Sequence, residues 1–387
     1  SMNERNVWRL SATPDEIARS NEVRLAEFVA FFAFGFPARG LLGFPVVELV
    51  AGVMIVVAFL RKAQYRALPV VTTLGMMLAA TYLISTWINH VTDVRRLIHI
   101  GGYLLLFHAF STGRIHARSA AIGLATGLSV SIVVSAVELG GGALSARMSG
   151  EFADPNGGSF YMLALGSVAL AQLNSKLARR LLILLVSTGV ILTLSRTGLM
   201  ALAFAYAWML NARIMGWFTK LFLSAGMIWT VGHVPKSWQY FGPFSDRVGS
   251  DALRHRIELA SQAAVERSGY FGNGPGTSVV NVSGLRFFYH SSYLALRNEV
   301  GWVGTIILLG LLLWLMFSLI RLPRAQQEPL LEIAIVVTAM MAVSVGEILV
   351  ELPTAVVIGL AMQHLSRALA WEVDDAQPLQ PALHRRQ

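Results

Sequence analysis

The chain has no cysteine among its 387 residues, and only four lysines beside abundant arginine. Disulfides and thiolate chemistry are therefore excluded. Charge is scarce as well: 14% of residues are charged, while 55% are hydrophobic and mean hydropathy is +0.58. That composition lies outside the range of soluble globular domains. Histidines at 90, 99, 108, 116, 233, 255 and 290 are scattered, none pairs at i, i+4, and no Asp-x-Asp pair stands among the acids. Metal-dependent catalysis is disfavoured on that count, and no cofactor is expected. No internal repeat is evident, and Met2 is followed by a polar, charged stretch rather than the apolar core of a cleavable leader.

Long apolar runs fill the space that charge leaves. Runs able to cross about 30 Å of hydrocarbon recur along the chain. They fall at approximately 26–43, 44–60, 68–88, 97–112, 118–138, 158–173, 181–195, 198–212, 216–233, 293–320, 330–347 and 350–370. The pattern predicts an all-α polytopic membrane protein of about twelve spans, with a possible re-entrant turn over 35–45, where Pro37 and Arg39 interrupt the first run. Alternate short loops carry Arg61, Lys62 and Arg66; Arg114 and Arg118; Lys176, Arg179 and Arg180; Arg213 and Lys220; and Arg321 and Arg324. The excess of positive charge puts that face and both termini in the cytoplasm. The expected organisation is a cytoplasmic segment 1–25, spans over 26–233, a large external loop 234–297, spans over 298–370 and a cytoplasmic tail 371–387. The charge of +9 is the ordinary consequence of such loops, so nucleic acid is not an expected partner.

The external loop is the anomaly. It gathers Arg247, Arg254, Arg256, Arg267, Arg286 and His290, and closes on Tyr289-His290-Ser291-Ser292-Tyr293. Its stretch from Asp251 to Glu266 has helical spacing, with Leu253, Ile257, Ala260 and Ala264 on one face. Gly272-Asn273-Gly274-Pro275-Gly276 follows; it lacks the Gly-Lys-Ser/Thr of a phosphate loop and reads as a tight turn. Two other segments join it on the outer face. In Ser195-Arg196-Thr197-Gly198 the arginine either snorkels to the interface or is presented by a turn to a ligand. Asp154-Pro155-Asn156-Gly157, downstream of Arg147, is good turn chemistry and equally open to a structural or a binding role. Arginine pairs two oxygens of a phosphate at once and stays charged. Several arginines facing one way therefore point to a diphosphate at a membrane surface, and a neutral His290 beside them could take a proton from a hydroxyl.

At these residues the chain resembles the O-antigen ligase and Wzy polymerase superfamily of bacterial polytopic glycosyltransferases, akin in architecture to GT-C enzymes. Four elements carry the resemblance: Ser195-Arg196-Thr197-Gly198; Arg256-Ile257-Glu258-Leu259 with the glycine turn at 272–276; His290-Ser291, nine residues, then Gly301-Trp302-Val303-Gly304; and Phe152-Ala153-Asp154-Pro155-Asn156. Two departures stand out: Ala260 where an aromatic is common, and Ser291 where Asn is more frequent. The resemblance implies metal-independent, inverting transfer of a glycan from undecaprenyl diphosphate to an acceptor hydroxyl. The setting would be the periplasmic face of the inner membrane, in lipopolysaccharide or exopolysaccharide biosynthesis. It assigns His290 as base or acceptor-orienting group, and Arg196 and Arg256 (or the neighbouring Arg254) to the diphosphate; Arg147, Asn156, Arg286, Tyr293 and Glu299 are candidates for substrate contact or structural support. Partners would be the undecaprenyl-diphosphate-linked glycan, lipid A-core or a second lipid-linked glycan as acceptor, and membrane lipids. Lipid A-core makes it a ligase, a lipid-linked acceptor a polymerase. A transporter or flippase of lipid-linked sugars is the alternative from another class.

Overall fold

A computed structural model of the chain describes residues 23–37, 46–141, 147–148, 154–233 and 248–375. The expected terminal segments before 23 and after 375, most of the turn at 35–45, the residues 151–153 and the first part of the external loop with Arg247 lie outside the described residues.

Several helices begin where the sequence supplies a cap or a proline. Helix α1 (Leu25–Gly35) stops just before Pro37, and α2 spans Val46–Phe59. Helix α3 (Pro69–Asn89) opens with proline at its first position, where a missing N–H costs nothing, and ends on His90 in the left-handed region. Asp93 caps α4 (Val94–Ser111), accepting from the Arg96 N–H at 2.9 Å. Helix α5 runs over Ala117–Gly140. Gly123 and Gly127, four residues apart on α5, lie so close to α1 that a Cβ on either would strike the carbonyl of Phe28 or Phe32. Small residues at that spacing let two helix backbones touch.

Beyond α5, a short α6 (Pro155–Phe160) runs into a π turn (Tyr161–Leu165) and then α7 (Gly166–Gln172). Helices α8 (Lys176–Thr193), α9 (Arg196–Asn211) and α10 (Trp217–Gly232) follow, then α11 (Val248–Glu266), a β1–β2 hairpin (Val279–Val282, Leu285–Phe288), α12 (Ser292–Ile320), α13 (Pro329–Met341) and α14 (Leu352–Asp375). Helix α13 is buried along most of its length and packs against α6, α7, α9, α10, α12 and α14, so the core gathers around it. Ion pairs are sunk in the bundle, two of them away from the polar end. Glu27 on α1 pairs with Arg61. Glu332 on α13 takes both Lys220 Nζ, at 2.8 Å, and the indole N–H of Trp208, at 2.9 Å.

This architecture corrects the expected twelve-span, N-in/C-in topology. Among the described residues three helices are long and apolar enough to cross a membrane by length and composition: α3, α5 and α12. Helices α1, α2 and α13 are apolar but short, at 11, 14 and 13 residues. A crossing needs about 20 residues. The run at 158–173 is divided by the π turn, and α8 carries Lys176, Arg179 and Arg180 at its start. Hydropathy misled because a helix packed around a buried core is as apolar in sequence as one facing lipid. The all-α expectation also missed the hairpin. Val279 pairs with Phe288 and Val282 with Leu285 across a two-residue Ser283-Gly284 turn, both residues at positive φ (54° and 83°). That is the primed turn whose twist matches two antiparallel strands.

Candidate functional site

One end of the bundle collects most of the residues singled out by sequence. The chain turns sharply between α8 and α9, with Leu194 at φ 47°. Ser195 caps α9, its Oγ accepting from the Gly198 N–H at 3.1 Å while its hydroxyl donates to Asn156 Oδ1 at 2.7 Å. Arg147 reaches the same turn, donating through Nε to the Thr193 carbonyl at 2.9 Å and through a terminal nitrogen to the Leu194 carbonyl at 3.4 Å. The hydroxyls of Thr193 and Ser159 meet at 2.8 Å, and Thr197 meets Ser344 at 2.8 Å. A Cβ on Gly198 would run into the Ser159 side chain at 2.6 Å, so this glycine exists for close packing. The turn thus holds the half-buried Arg196 at the first position of a capped helix N-terminus, where the helix dipole favours an anion.

Asp154 caps α6, accepting from the N–H groups of Asn156 and Gly157 at 2.8 and 3.0 Å. Its negative charge also acts on His290. The pKa of His290 is lowered below its ordinary 6.5, first by burial and then by the positive charge of Arg254, with Asp154 opposing. His290, Arg254 and Asp154 therefore form one electrostatic cluster beside Asn156 and the Ser195 turn. The imidazole remains accessible at its outer edge.

The two loop arginines part ways. Arg254 is half-buried and faces the cluster, while Arg256 is exposed and reaches only the Ser283 hydroxyl on the hairpin at 3.5 Å. Of the two, Arg254 is the one whose charge acts on His290. Arg286 stands exposed in β2 opposite Asn281, carried on the hairpin. Tyr293 is turned inward, its hydroxyl donating to the Ala339 carbonyl at 2.8 Å and pinning α12 to α13.

Glu299 is a structural knot. Its buried carboxylate accepts from Arg96 at 3.1 Å, from the Tyr82 hydroxyl at 3.3 Å and from the Gly276 N–H at 3.1 Å, while Arg96 also pairs with Glu347 at 3.5 Å. The glycine turn belongs to the same construction. Helix α12 breaks at Gly301, which takes φ 65° and ψ −163°. The break strands the carbonyls of Asn298 and Glu299, and the turn supplies the missing donors: Asn273 N–H at 2.6 Å and Gly274 N–H at 3.2 Å. In return the Tyr270 carbonyl accepts from Val303 N–H at 3.3 Å. The turn therefore splints a helix kink.

Sequence reasoning missed Asp154 as a partner of His290, and it missed Arg96, Ser344 and Glu347. The Asp-Pro-Asn-Gly cap was the available signal for the first. Glu347, at φ 63° in the bend between α13 and α14, follows Gly346, whose Cβ position abuts the Tyr289 carbonyl. No local pattern announces that approach.

No family model matches the chain, and no curated protein matches it. The resemblance to O-antigen ligases and Wzy polymerases is corrected by the architecture, together with what depended on it: among the described residues three helices are long and apolar enough to cross a membrane, against about twelve expected. An inverting glycosyltransferase, as ligase or polymerase, and equally a flippase of lipid-linked sugars, needs a polytopic bundle open to the periplasm, and three candidate spans do not make one. The inner-membrane, multi-pass placement falls for the same reason, since the loop-charge rule was applied to twelve crossings. Among the described residues no three His, Asp or Glu side chains converge as metal ligands.

Proposed function

We propose that this end of the protein is a binding site for the phosphates of a lipid, the best fit being a lipid-linked diphosphate that carries a glycan. One observation supports the reading above the others: the charges of Arg254 and Asp154 both act on His290, and the Asp154 turn is tied through Asn156 to the Ser195 turn that carries Arg196 and is braced by Arg147. Arg196 and Arg254 take the phosphate oxygens, each guanidinium offering a planar pair of donors. Arg147 and Asn156 hold the turn from which Arg196 projects. His290, kept neutral, offers one donor and one acceptor to hydroxyls next to the diphosphate.

The surroundings suit a lipid. Tyr270, Leu285 and Phe288 are exposed on the neighbouring turn and hairpin, and aromatic side chains of this kind settle at a membrane–water boundary. The reading is one of binding, with no bond made or broken.

The test compares polyprenyl diphosphate with the uncharged polyprenol of the same length, bound to the full chain in detergent. A charge-assisted hydrogen bond contributes about 1.5–3 kcal/mol, so Arg254→Ala should weaken diphosphate binding by ten-fold or more. Arg256→Ala should leave it within about two-fold, a difference of a few tenths of a kcal/mol. Equal affinity for the two lipids, or equal effects of the two substitutions, would show that the cluster does not read phosphate.

A further inference from the structure

The far end of α12 carries an apolar groove. This helix carries 29 residues from Ser292, beside the cluster just described, to Ile320. At 1.5 Å per residue its two ends are about 40 Å apart. Near the distal end, Leu221 of α10 and Gly310, Leu313, Trp314 and Phe317 of α12 line an apolar groove of about 360 Å³. The groove exists because residue 310 has no side chain: a Cβ there would meet nothing within 4 Å. From Gly310 to Phe317 it follows the helix for about 10 Å. Leu313 is exposed on its wall, and Trp314 and Phe317 are half-buried.

What closes the groove is charge. The guanidinium of Arg321 lies over the Phe317 ring, 5.1 Å from its centroid, and Trp217 meets the same ring edge-on at 5.9 Å. Arg321 is exposed, and Arg324, three residues on and past the end of the helix, is exposed as well. Helix carbonyls at a C-terminus repel anions, so an anion is held there only by side-chain cations such as these. An apolar channel on a helix able to cross a bilayer, ending in an aromatic pair and an exposed arginine, matches one ligand in both its parts. We infer that the groove between α10 and α12 binds a glycerophospholipid with an anionic headgroup, one acyl chain along Gly310–Phe317 and the phosphate on Arg321. The site is independent of the diphosphate cluster and shares no residue with it.

Native mass spectrometry of the full chain, released from detergent with dioleoyl phosphatidylglycerol or dioleoyl phosphatidylcholine added, reads the first lipid retained. Wild type should hold phosphatidylglycerol at least ten-fold more tightly than phosphatidylcholine. Arg321→Ala should abolish that preference, and Arg321→Lys, which keeps the charge and the packing stem, should preserve most of it. Gly310→Leu puts a side chain into the channel from a position where a Cβ meets nothing within 4 Å, and should weaken the first binding event for both lipids. The inference is overturned if wild type does not prefer the anionic lipid, or if Gly310→Leu retains it unchanged, which marks a non-specific annulus. It is overturned too if Arg321→Lys behaves as Arg321→Ala. Because polyprenyl diphosphate binding is read at the other end, it should be unaffected in all three variants.

Discussion

Replacing Gly301 by alanine should unfasten the polar end of this protein. The residue sits at φ 65° and ψ −163°, a region that is nearly glycine-only and costs a side-chain-bearing residue about 1–3 kcal/mol. The added Cβ would also collide with the Tyr270 carbonyl and lie 2.5 Å from Gly272 N. The splint must then move, and three hydrogen bonds go with it: Asn273 to Asn298, Gly274 to Glu299 and Val303 to Tyr270. At about 1 kcal/mol each, their loss and the backbone strain sum to about 4–6 kcal/mol. So large a loss is rare for one methyl group. Denaturant unfolding in detergent measures it, and limited proteolysis across 269–277 locates it. Gly310→Ala is the internal control, since its Cβ meets nothing and alanine is the better helix former by about 1 kcal/mol. A loss below about 1 kcal/mol for Gly301→Ala, or a protease pattern unchanged across the turn, would refute the splint account.

Three further outcomes follow from the same geometry. The pKa of His290 lies below its ordinary 6.5, so well above pH 6.5 the imidazole is neutral whether folded or not. As pH falls from there through the folded value, the unfolded chain takes the proton first, and stability declines until both states are charged. His290→Gln should flatten that part of the pH–stability curve, and Asp154→Asn should move the histidine resonance titration lower still. Lys220→Met strands the buried Glu332 carboxylate and should cost about 3–5 kcal/mol, whereas pairing it with Glu332→Leu should recover most of the loss on thermal unfolding. Ser195→Ala removes both the α9 cap and the bond to Asn156, and should cost about 1–2 kcal/mol while weakening polyprenyl diphosphate binding through the displaced Arg196.

Local chemistry was legible in the sequence wherever a single residue does a single backbone job. Asp154-Pro155, Ser195 and Pro69 mark helix starts that the structure contains, and Pro37 marks the end of α1. The helix after Asp251 was visible in the spacing of Ile257 and its neighbours, with Ile257, Ser261 and Val265 proving the most deeply buried. What could not be read was anything that depends on a partner far along the chain. Arg96, Glu299 and Glu347 lie in three separate segments, and only the fold makes them one network. The number of membrane crossings failed for a related reason. Apolarity says that a helix leaves water, but not whether it enters lipid or the protein's own interior. Helix α13, buried on nearly every face, is the clearest instance of the second outcome.

The motif that carried the family resemblance illustrates how recurrent residues can have architectural causes. In His290-Ser291, nine residues, Gly301-x-x-Gly304, Ser291 is the N-cap position of α12. Gly301 is the kink that the glycine turn clasps, and Gly304 makes room for Val300 and for Thr81 of α3. Gly272 and Gly274 occupy positive φ and press against the α12 carbonyls and Val91. All these positions are demanded by a broken helix and its splint, whatever ligand the protein holds. His290 and Arg254 are different: the histidine is exposed, the arginine half-buried, and the charges of Arg254 and Asp154 both act on the imidazole. A construction that fixes the backbone so firmly on one side of His290 while leaving its ring at the surface is rigid support for a binding group. Mutating the glycines therefore tests the scaffold, and mutating Arg254 and His290 tests the ligand; only disagreement between the two sets can reveal chemistry specific to this chain.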